Sequence, residues 1–274
     1  MSGSGTEAML AEVTAVVPAR NAAALLPGCL SSLQQSGLGR IIVVDGRSTD
    51  TTQELAAQFA TVVSDDGRGL PYARTLGASL AETPLVLLVD SDVVFPPGRL
   101  VQLLSEYRDG GYVALQAGLE SVGGPGYWGR ALAYHHRSGR SRYWFGLVAT
   151  VCDRAELLRV GFDADFDSGE DIELRWRMHQ AGLRIGVSRS VLVEHRFAGD
   201  DLGFARDQFD MDGFGLGRMI RKHRWRGLRL GLLPAAAAVR GAGLSLVRGQ
   251  PAWVPYFGAF AVFNYKGMAR GLRR

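Results

Sequence analysis

Short apolar runs alternate with segments of helical periodicity through the first ninety residues, and this alternation constrains the fold more than any other feature. The runs are Val13–Val17, Ile41–Val44, Thr61–Ser64 and Leu85–Val89. Most are continuously apolar, as is typical of strands that are buried on both faces. Strands that alternate with helices favour a parallel sheet covered by helices. The sequence therefore predicts an α/β, Rossmann-like domain with a mostly parallel central sheet.

The second half of the chain changes in pattern and in charge. A helix is predicted over residues 170–181, and the pattern becomes mainly helical from Leu202. From Gly213 to Arg274 there is no Asp or Glu, whereas Lys and Arg number twelve. Such a division of charge calls for an anionic partner, and nucleic acid, a membrane surface and an acidic substrate all qualify. We expect a domain over residues 1–200 and a basic, apolar helical extension over residues 201–274.

The two cysteines and the N-terminal residues bear on location. Cys29 and Cys152 are too few for a disulfide scaffold and lack the clustering of a zinc site. The first twelve residues carry no basic-then-apolar pattern of a secretory signal. We expect a cytoplasmic protein.

The strongest chemical signal is Asp90-Ser91-Asp92, which directly follows the apolar run Leu85–Val89. In open α/β sheets, ligands bind beyond the carboxyl ends of the strands. Two carboxylates at i and i+2 can share a divalent cation such as Mg²⁺ or Mn²⁺, which would neutralise charge on a departing diphosphate. The alternative is a turn or a helix cap, since Asp and Ser favour both.

Asp45 follows a second apolar run and is the other candidate at a strand end. A carboxylate there can accept hydrogen bonds from a base or a ribose. Ser48, Thr49 and Asp50 come next, and we interpret them as turn and cap residues of the following helix.

Five segments in order resemble family 2 glycosyltransferases of the GT-A fold, over roughly residues 12–196. The segments are Val17–Asn21, Ile42–Thr51, Ala73–Gly77, Asp90–Asp92 and a later block from Arg154 to Gly182. The resemblance implies a nucleotide-diphosphate sugar donor, with a UDP-sugar preferred, and transfer to an acceptor hydroxyl in one inverting step. It also implies a donor half over about residues 12–95 and an acceptor half over about residues 96–200.

The resemblance assigns roles only to positions that match. It implies that the base and ribose are held by Pro18, Ala19, Arg20, Asn21 and Asp45. Arg74 would approach the base or the diphosphate, and Ser91 would join the donor contacts. Asp90 would lie near the ribose and the metal, and Asp92 would be the main ligand of Mn²⁺ or Mg²⁺.

Two further residues complete the predicted site. The resemblance makes Asp171 the general base that takes the proton of the acceptor hydroxyl. The alternative is a carboxylate stabilised by the macrodipole at its helix N-terminus. His195 resembles an occasional third metal ligand or diphosphate contact. A solvent-facing histidine at a strand end is the competing interpretation.

The sequence also departs from the family pattern. Gly46 and Arg47 stand where Asp and Gly are usual, and Thr75 replaces a common Asn. No Gln-x-x-Arg-Trp element, the signature of processive synthases, follows Asp171. The sequence therefore favours transfer of a single sugar over polymerisation.

The basic cluster Arg221–Arg226, with Trp225 inside it, indicates binding at an anionic membrane surface. This favours a peripheral position at the inner face of the membrane and a lipid-linked acceptor, with a small-molecule metabolite as the other acceptor class. The alternative is that these helices pack on the domain and the arginines are merely solvated. The segment Leu228–Val247 has the length of a membrane span but contains Arg229, Arg240 and Pro234. No nucleic-acid partner is expected, because no nucleic-acid-binding fold is recognisable.

Three other classes of protein are alternatives to a glycosyltransferase. A sugar nucleotidyltransferase usually needs a Gly-rich basic loop after the first strand, and residues 18–28 supply one Arg and no Gly cluster. A nicotinamide-dependent oxidoreductase would need Gly-x-Gly-x-x-Gly there, which is absent. A degenerate, non-catalytic nucleotide- or membrane-binding module stays open, although the intact Asp90, Asp92 and Asp171 argue against it.

Overall fold

A computed structural model describes residues 3–138, 142, 144–166 and 168–273. The chain divides into two compact units. The first comprises Met1–Glu120, Tyr143–Ala164 and Leu174–Ala198, and the second comprises Ser121–Arg142, Asp165–Glu173 and Gly199–Arg274.

The strands form one eight-stranded sheet in the order β3-β2-β1-β4-β7-β6-β8-β5. Their bounds are β1 (Val13–Ala19), β2 (Ile41–Asp45), β3 (Thr61–Ser64), β4 (Leu85–Val89), β5 (Val93–Val94), β6 (Ala114–Val122), β7 (Ala149–Asp153) and β8 (Ile185–Arg196).

Strand direction divides the sheet. Strand β1 pairs in parallel with β2 and β4, and β2 pairs in parallel with β3. These are the four strands predicted from the apolar runs, so the α/β fold is confirmed. Strand β7 pairs antiparallel with β4 and β6, and β5 pairs antiparallel with β8. The sheet as a whole is therefore mixed, and its parallel part is the one built from the first ninety residues.

The helices are α1 (Gly3–Ala11), α2 (Leu26–Gln35), α3 (Thr52–Ala56), α4 (Leu70–Leu80), α5 (Arg99–Asp109), α6 (Tyr127–Ser138), α7 (Arg154–Val160), α8 (Glu170–Gln180), α9 (Leu202–His223), α10 (Leu233–Val247) and α11 (Val254–Arg273). Short 3₁₀ turns lie at Arg224–Arg226, Leu228–Leu232 and Pro251–Trp253.

In the first unit, apolar side chains cover both faces of the sheet. Ala15 and Val17 of β1 belong to the cluster that includes residues of α2 and α5. Val16 and Val44 belong to the opposite cluster, with residues of α4 and α8. Each fully buried aliphatic side chain contributes about 1.5–3 kcal/mol. This double cover explains why the parallel strands are continuously apolar.

Helix α4 lies very close to the sheet at Gly77. A Cβ atom there would lie 2.3 Å from Cγ1 of Val16 and 3.1 Å from Cγ2 of Val44. Only glycine permits this approach, which fixes the helix that carries Arg74.

In the second unit, α9 and α11 cross at glycines. A Cβ atom on Gly213 would lie 1.9 Å from the carbonyl oxygen of Asn264, and one on Gly217 would lie 2.3 Å from that of Met268. On α11, a Cβ atom on Gly267 would lie 2.0 Å from the carbonyl oxygen of Asp210. The absence of side chains at these points lets the two backbones touch.

The segment from Val122 to Arg142 is rich in Gly, aromatic residues and Arg, a composition that predicts a loop with a broken helix, but it contains the continuous helix α6. Its buried face includes Ala131, Leu132 and His135. Residues 139–141 and 143 lie outside the described residues. Gly129 and the neighbouring aromatic residues obscured the helical pattern, because Gly is a weak helix former.

The mainly helical pattern predicted after Leu202 is present as α9, α10 and α11. Among the described residues, the stretch Leu228–Val247 is long and apolar enough to cross a membrane, with a mean hydropathy of 1.6. Length and composition alone support that statement, and such a stretch also occurs in proteins that cross no membrane.

Candidate active site

The loops after β1 and β2 are tied together at the carboxyl edge of the sheet. Pro18 and Ala19 end β1 in register with Val44 and Asp45, and the exposed Arg20 follows. The amide of Gly46 donates to the carbonyl of Ala19 at 2.8 Å. The sheet edge thus gathers the donor-binding candidates from two separate segments.

Asn21 completes this link through its backbone and its side chain. Its amide donates to Oγ of Ser48 at 2.9 Å, and its Oδ1 accepts from the amide of Thr49 at 2.8 Å. Asn21 has a φ of 49°, the left-handed region that Asn tolerates better than most residues. Ser48 and Thr49 therefore hold the first loop, whereas the N-cap of α3 is Thr51, which makes no side-chain capping hydrogen bond.

Asp45 is 1% exposed and uses only one of its carboxylate oxygens. Its Oδ2 accepts from the amide of Ser48 at 3.1 Å and from Nε2 of Gln53 at 2.6 Å. Its Oδ1 is buried and has no hydrogen-bond partner. An unsatisfied buried acceptor is costly, so a ligand N–H or hydroxyl group would be favoured at this atom.

Arg74 and Asp90 form a partly buried ion pair between α4 and the end of β4. Arg74 is 2% exposed, and its NH2 group donates to Oδ1 of Asp90 at 2.9 Å. Burial raises the pKa of Asp90 to about 6, with a contribution from the neighbouring charge of Asp92 and against the charge of Arg74. Asp90 is thereby oriented by a fixed positive charge.

Asp92 and His195 meet because β5 pairs with β8. Val93 lies opposite His195 in this pairing, and the amide of Arg196 donates to the carbonyl of Asp92 at 2.9 Å. Nε2 of His195 lies 3.3 Å from Oδ2 of Asp92. Burial opposes protonation of His195, but the hydrogen bond and charge of Asp92 and the charge of Asp90 raise its pKa. Its side chain is only 15% exposed, which differs from the solvent-facing alternative.

The donor atoms around Asp92 fit a divalent cation. No group of three or more His, Cys, Asp or Glu side chains is already assembled as a metal centre in the described part of the chain. However, Oδ1 of Asp92 and Nδ1 of His195 are buried and without a partner. Carboxylate oxygens suit Mg²⁺ and Mn²⁺, and a neutral imidazole is compatible with Mn²⁺. Ser91 lies in the turn between Asp90 and Asp92.

Asp171 lies in the first turn of α8, within the second unit, and is half-buried. Its segment is held against α9. A Cβ atom on Gly169 would lie 2.9 Å from Cα of Gly215, and Oγ of Ser168 donates to the carbonyl of Met211 at 2.9 Å. The backbone before Asp171 is thus fixed by close contact.

Glu173, two residues after Asp171 in the sequence, also holds the backbone around Asp171 in place. It is fully buried and accepts from Nζ of Lys222 at 2.6 Å. Sequence reasoning missed this pair, because Lys222 lies 49 residues away in a cluster interpreted as a membrane-binding surface. It also missed Gln53, which holds Asp45.

An acidic pair beyond the buried strand β4, with polar loops after β1 and β2 at the same edge of the sheet, is the arrangement of the GT-A fold class. Residues 14–166 match the model of glycosyl transferase family 2, and the chain belongs to that family.

Curated relatives carry glycosyltransferase names. The chain is 29% identical over 201 residues to the pre-mycofactocin glycosyltransferase of Mycobacterium tuberculosis, covering 67% of this chain and 42% of that protein. It is 26% identical over 225 residues to the validoxylamine A glucosyltransferase of Streptomyces hygroscopicus, covering 65% and 53%. The chain thus spans about half the length of these relatives.

Solved structures share the fold at low sequence identity. The mannosyltransferase PcManGT of Pyrobaculum calidifontis, in complex with GDP-Man and Mn²⁺, has a TM-score of 0.66 at 18% identity, covering 94% of this chain and 87% of that one. TarS of S. aureus, in complex with UDP-GlcNAc, has a TM-score of 0.58 at 15% identity, covering 96% and 89%.

Proposed function

We propose that this chain transfers a single sugar from a nucleotide-diphosphate sugar to an acceptor hydroxyl, with inversion and with the help of a divalent metal. The observation that carries the proposal is the unpaired oxygen of Asp45 at the same sheet edge as Asp90 and Asp92. Family membership and relatives with glycosyltransferase names support the class of reaction.

The donor binds at the carboxyl edge of the parallel strands in this proposal. Asp45 accepts from the base, and the loop of Pro18, Ala19, Arg20 and Asn21 encloses base and ribose. Arg74 holds Asp90 in place and contributes positive charge near the diphosphate. We propose a UDP-sugar first, although the neighbouring structures include both GDP-Man and UDP-GlcNAc complexes.

We assign metal binding to Asp92, with Asp90 and His195 as further ligands. Mn²⁺ or Mg²⁺ bound there would supply charge neutralisation for the departing diphosphate. The unpaired Oδ1 of Asp92, and the approach of Nε2 of His195 to within 3.3 Å of Oδ2 of Asp92, support this assignment. Complexes of two structural neighbours contain Mn²⁺.

We assign the general base to Asp171. The acceptor oxygen attacks the anomeric carbon, the bond from that carbon to the diphosphate oxygen breaks, and the hydroxyl proton passes to Asp171. The anchoring of this segment through Gly169 and Glu173 supports the role, because a base must be held in position to act.

The acceptor is proposed to be lipid-linked, with a small-molecule metabolite as the alternative. A peripheral position at the inner membrane face would give access to a lipid-linked acceptor. A non-catalytic nucleotide-binding module is the second candidate function, because Gly46 and Arg47 depart from the family pattern at a donor-binding loop.

The first experiment is calorimetric titration with UDP, GDP and dTDP, each with and without Mn²⁺. Metal-dependent binding of one nucleotide is the expected result and names the donor class. If the folded protein binds none of them with metal present, the donor assignment is wrong.

A second experiment separates catalysis from binding. Asp171→Asn should keep nucleotide affinity and lower turnover of the matching nucleotide sugar by about 10²–10⁴-fold. Asp109→Asn, at an exposed carboxylate on α5, is the matched control and should leave both unchanged. A wild-type protein that binds nucleotide but transfers no sugar to any acceptor class would favour the non-catalytic module.

A further inference from the structure

The outer face of α10 is apolar and exposed, which is the reverse of an ordinary surface helix. Ala236, Val239, Gly243 and Leu246 recur at helical spacing along one side, and Leu232, just before the helix, continues the same spacing. Leu232 is 69% exposed, Val239 75% and Leu246 59%. Soluble proteins seldom leave so continuous an apolar stripe in water.

The opposite face of α10 packs within the second unit. A Cβ atom on Gly241 would lie 2.1 Å from the ring of Phe257, and Pro234 and Ser245 are buried. One side of this helix is therefore covered by other residues of the second unit. Arg240 also projects from its middle, which a helix surrounded by lipid would not favour.

A basic, aromatic segment precedes the apolar stripe. Trp225 is 74% exposed and Leu228 is 62% exposed. Arg224, Arg226 and Arg229 are exposed beside them. The sequence from Gly213 onward contains no acidic residue. Exposed apolar groups next to exposed arginines complement the surface of an anionic bilayer.

We propose that α10 and the segment Arg224–Leu232 lie in the plane of an anionic membrane. Trp225 and the stripe enter the headgroup region, and the arginines contact lipid phosphates. The helix does not cross the bilayer, because its inner face is packed on Phe257. This proposal deepens the membrane position given above and is independent of the donor assignment, since it concerns only the C-terminal helices.

The test uses the full chain and sedimentation with vesicles of pure phosphatidylcholine or of phosphatidylcholine with phosphatidylglycerol. We expect binding to the anionic vesicles, weakened by salt. Val239→Ser combined with Leu246→Ser should reduce the partition coefficient by about tenfold or more. Each of Arg224→Gln and Arg226→Gln should reduce it about fivefold. Leu80→Ser, at an exposed leucine of α4, is the matched control and should bind as the wild type does.

Trp225 provides a spectroscopic readout. Its fluorescence should shift to shorter wavelength with anionic vesicles, and Trp225→Phe should remove most of that shift. Extraction at high pH should release the protein from the membrane.

Four results would overturn the proposal. The first two are no vesicle binding by the folded wild type and undiminished binding by the variant that combines Val239→Ser with Leu246→Ser. The third is resistance to extraction at high pH, which indicates a helix that spans the membrane. The fourth is a wild-type dimer that dissociates in the Val239→Ser, Leu246→Ser variant, which would assign this face to a second copy of the chain.

Discussion

We expect the buried histidine of α6 to make the free energy of unfolding depend on pH. His135 is 8% exposed, and the centroid of its ring lies 5.2 Å from that of Phe257 and 4.9 Å from that of Phe260. Its Nδ1 lies 3.0 Å from the hydroxyl of Tyr256. Burial lowers the pKa of His135 from 6.5 to about 4, and the charge of Arg240 contributes in the same direction.

The lowered pKa of His135 sets the sign and the size of the change in the free energy of unfolding with pH. The unfolded chain binds a proton near pH 6.5, whereas the folded chain resists it until about pH 4. The stabilising contribution of neutral His135 is therefore fully present above pH 6.5 and is lost as the pH falls to about 4. A shift of this size corresponds to about 3 kcal/mol.

The assay is urea unfolding followed by circular dichroism at about pH 7.5, 6.5, 5.5 and 4.5. His135→Gln keeps a polar partner for Tyr256 and removes the titration. The destabilisation caused by the substitution itself should be nearly constant with pH. The free energy of unfolding of the wild type should therefore fall by about 2–3 kcal/mol more than that of the variant across this range.

The difference between the wild type and His135→Gln reports the titration of His135 alone, because the carboxylates are present in both proteins. His136 and Arg240 are retained in the variant, so their contributions also cancel. The control is His179→Gln, at an exposed histidine of α8, which should follow the wild-type slope. Parallel curves for the wild type and His135→Gln would refute the reasoning, because burial would then not hold this ring neutral.

Three further predictions concern the first unit and the proposed site. Gly77→Ala should lower the free energy of unfolding by about 1–3 kcal/mol, measured by urea unfolding, since its Cβ would lie 2.3 Å from Val16; unchanged stability would contradict the close approach. Asp92→Asn should weaken nucleotide binding about tenfold or more in Mn²⁺ and leave metal-free binding unchanged, measured by calorimetry; equal losses with and without metal would contradict the ligand assignment. Lys222→Met should lower kcat on the order of tenfold with little change in KM for the donor, because Glu173 loses its lysine partner, and Lys222→Arg should restore most of it; a loss of stability alone would make the pair merely structural.

Local pattern was enough to predict the parallel half of the fold. The apolar runs of β1, β2 and β4 are short and continuous, and each is followed by polar residues where the strand ends. The positions of Asp45 and Asp90 at the sheet edge follow from this pattern directly. Their roles in binding a donor remain predictions.

Features made by distant residues could not be predicted in the same way. The apolar pattern in the region of β8 predicts two short strands, Arg184–Val187 and Val191–Glu194, because Ser188, Arg189 and Ser190 interrupt it. In the structure β8 is continuous, and Ser188 and Ser190 both donate to Glu106 of α5. Charge and hydropathy along a single segment carry no information about such a partner.

The spacing of the glycines in α9 and α11 is a sequence signal for the close crossing of these helices. Gly213 and Gly217 are four residues apart, as are Gly267 and Gly271. This spacing places two small residues on one face of each helix, which is typical of close helix crossings. The contact of Lys222 with Glu173, by contrast, depends on how α9 packs and has no signature in the sequence.

The pairing of β5 with β8 determines when, during synthesis of the chain, Asp92 can reach its final position. Asp92 lies next to one end of a two-residue strand whose partner contains His195, so about a hundred further residues must be synthesised before that partner is complete. A ribosome-bound chain that has just released its parallel strands cannot yet hold Asp92 through Arg196. Asp92 is therefore encoded early and positioned late, and a nascent chain stalled before β8 would present a partly formed sheet in which Asp92 lacks its contacts with His195 and Arg196.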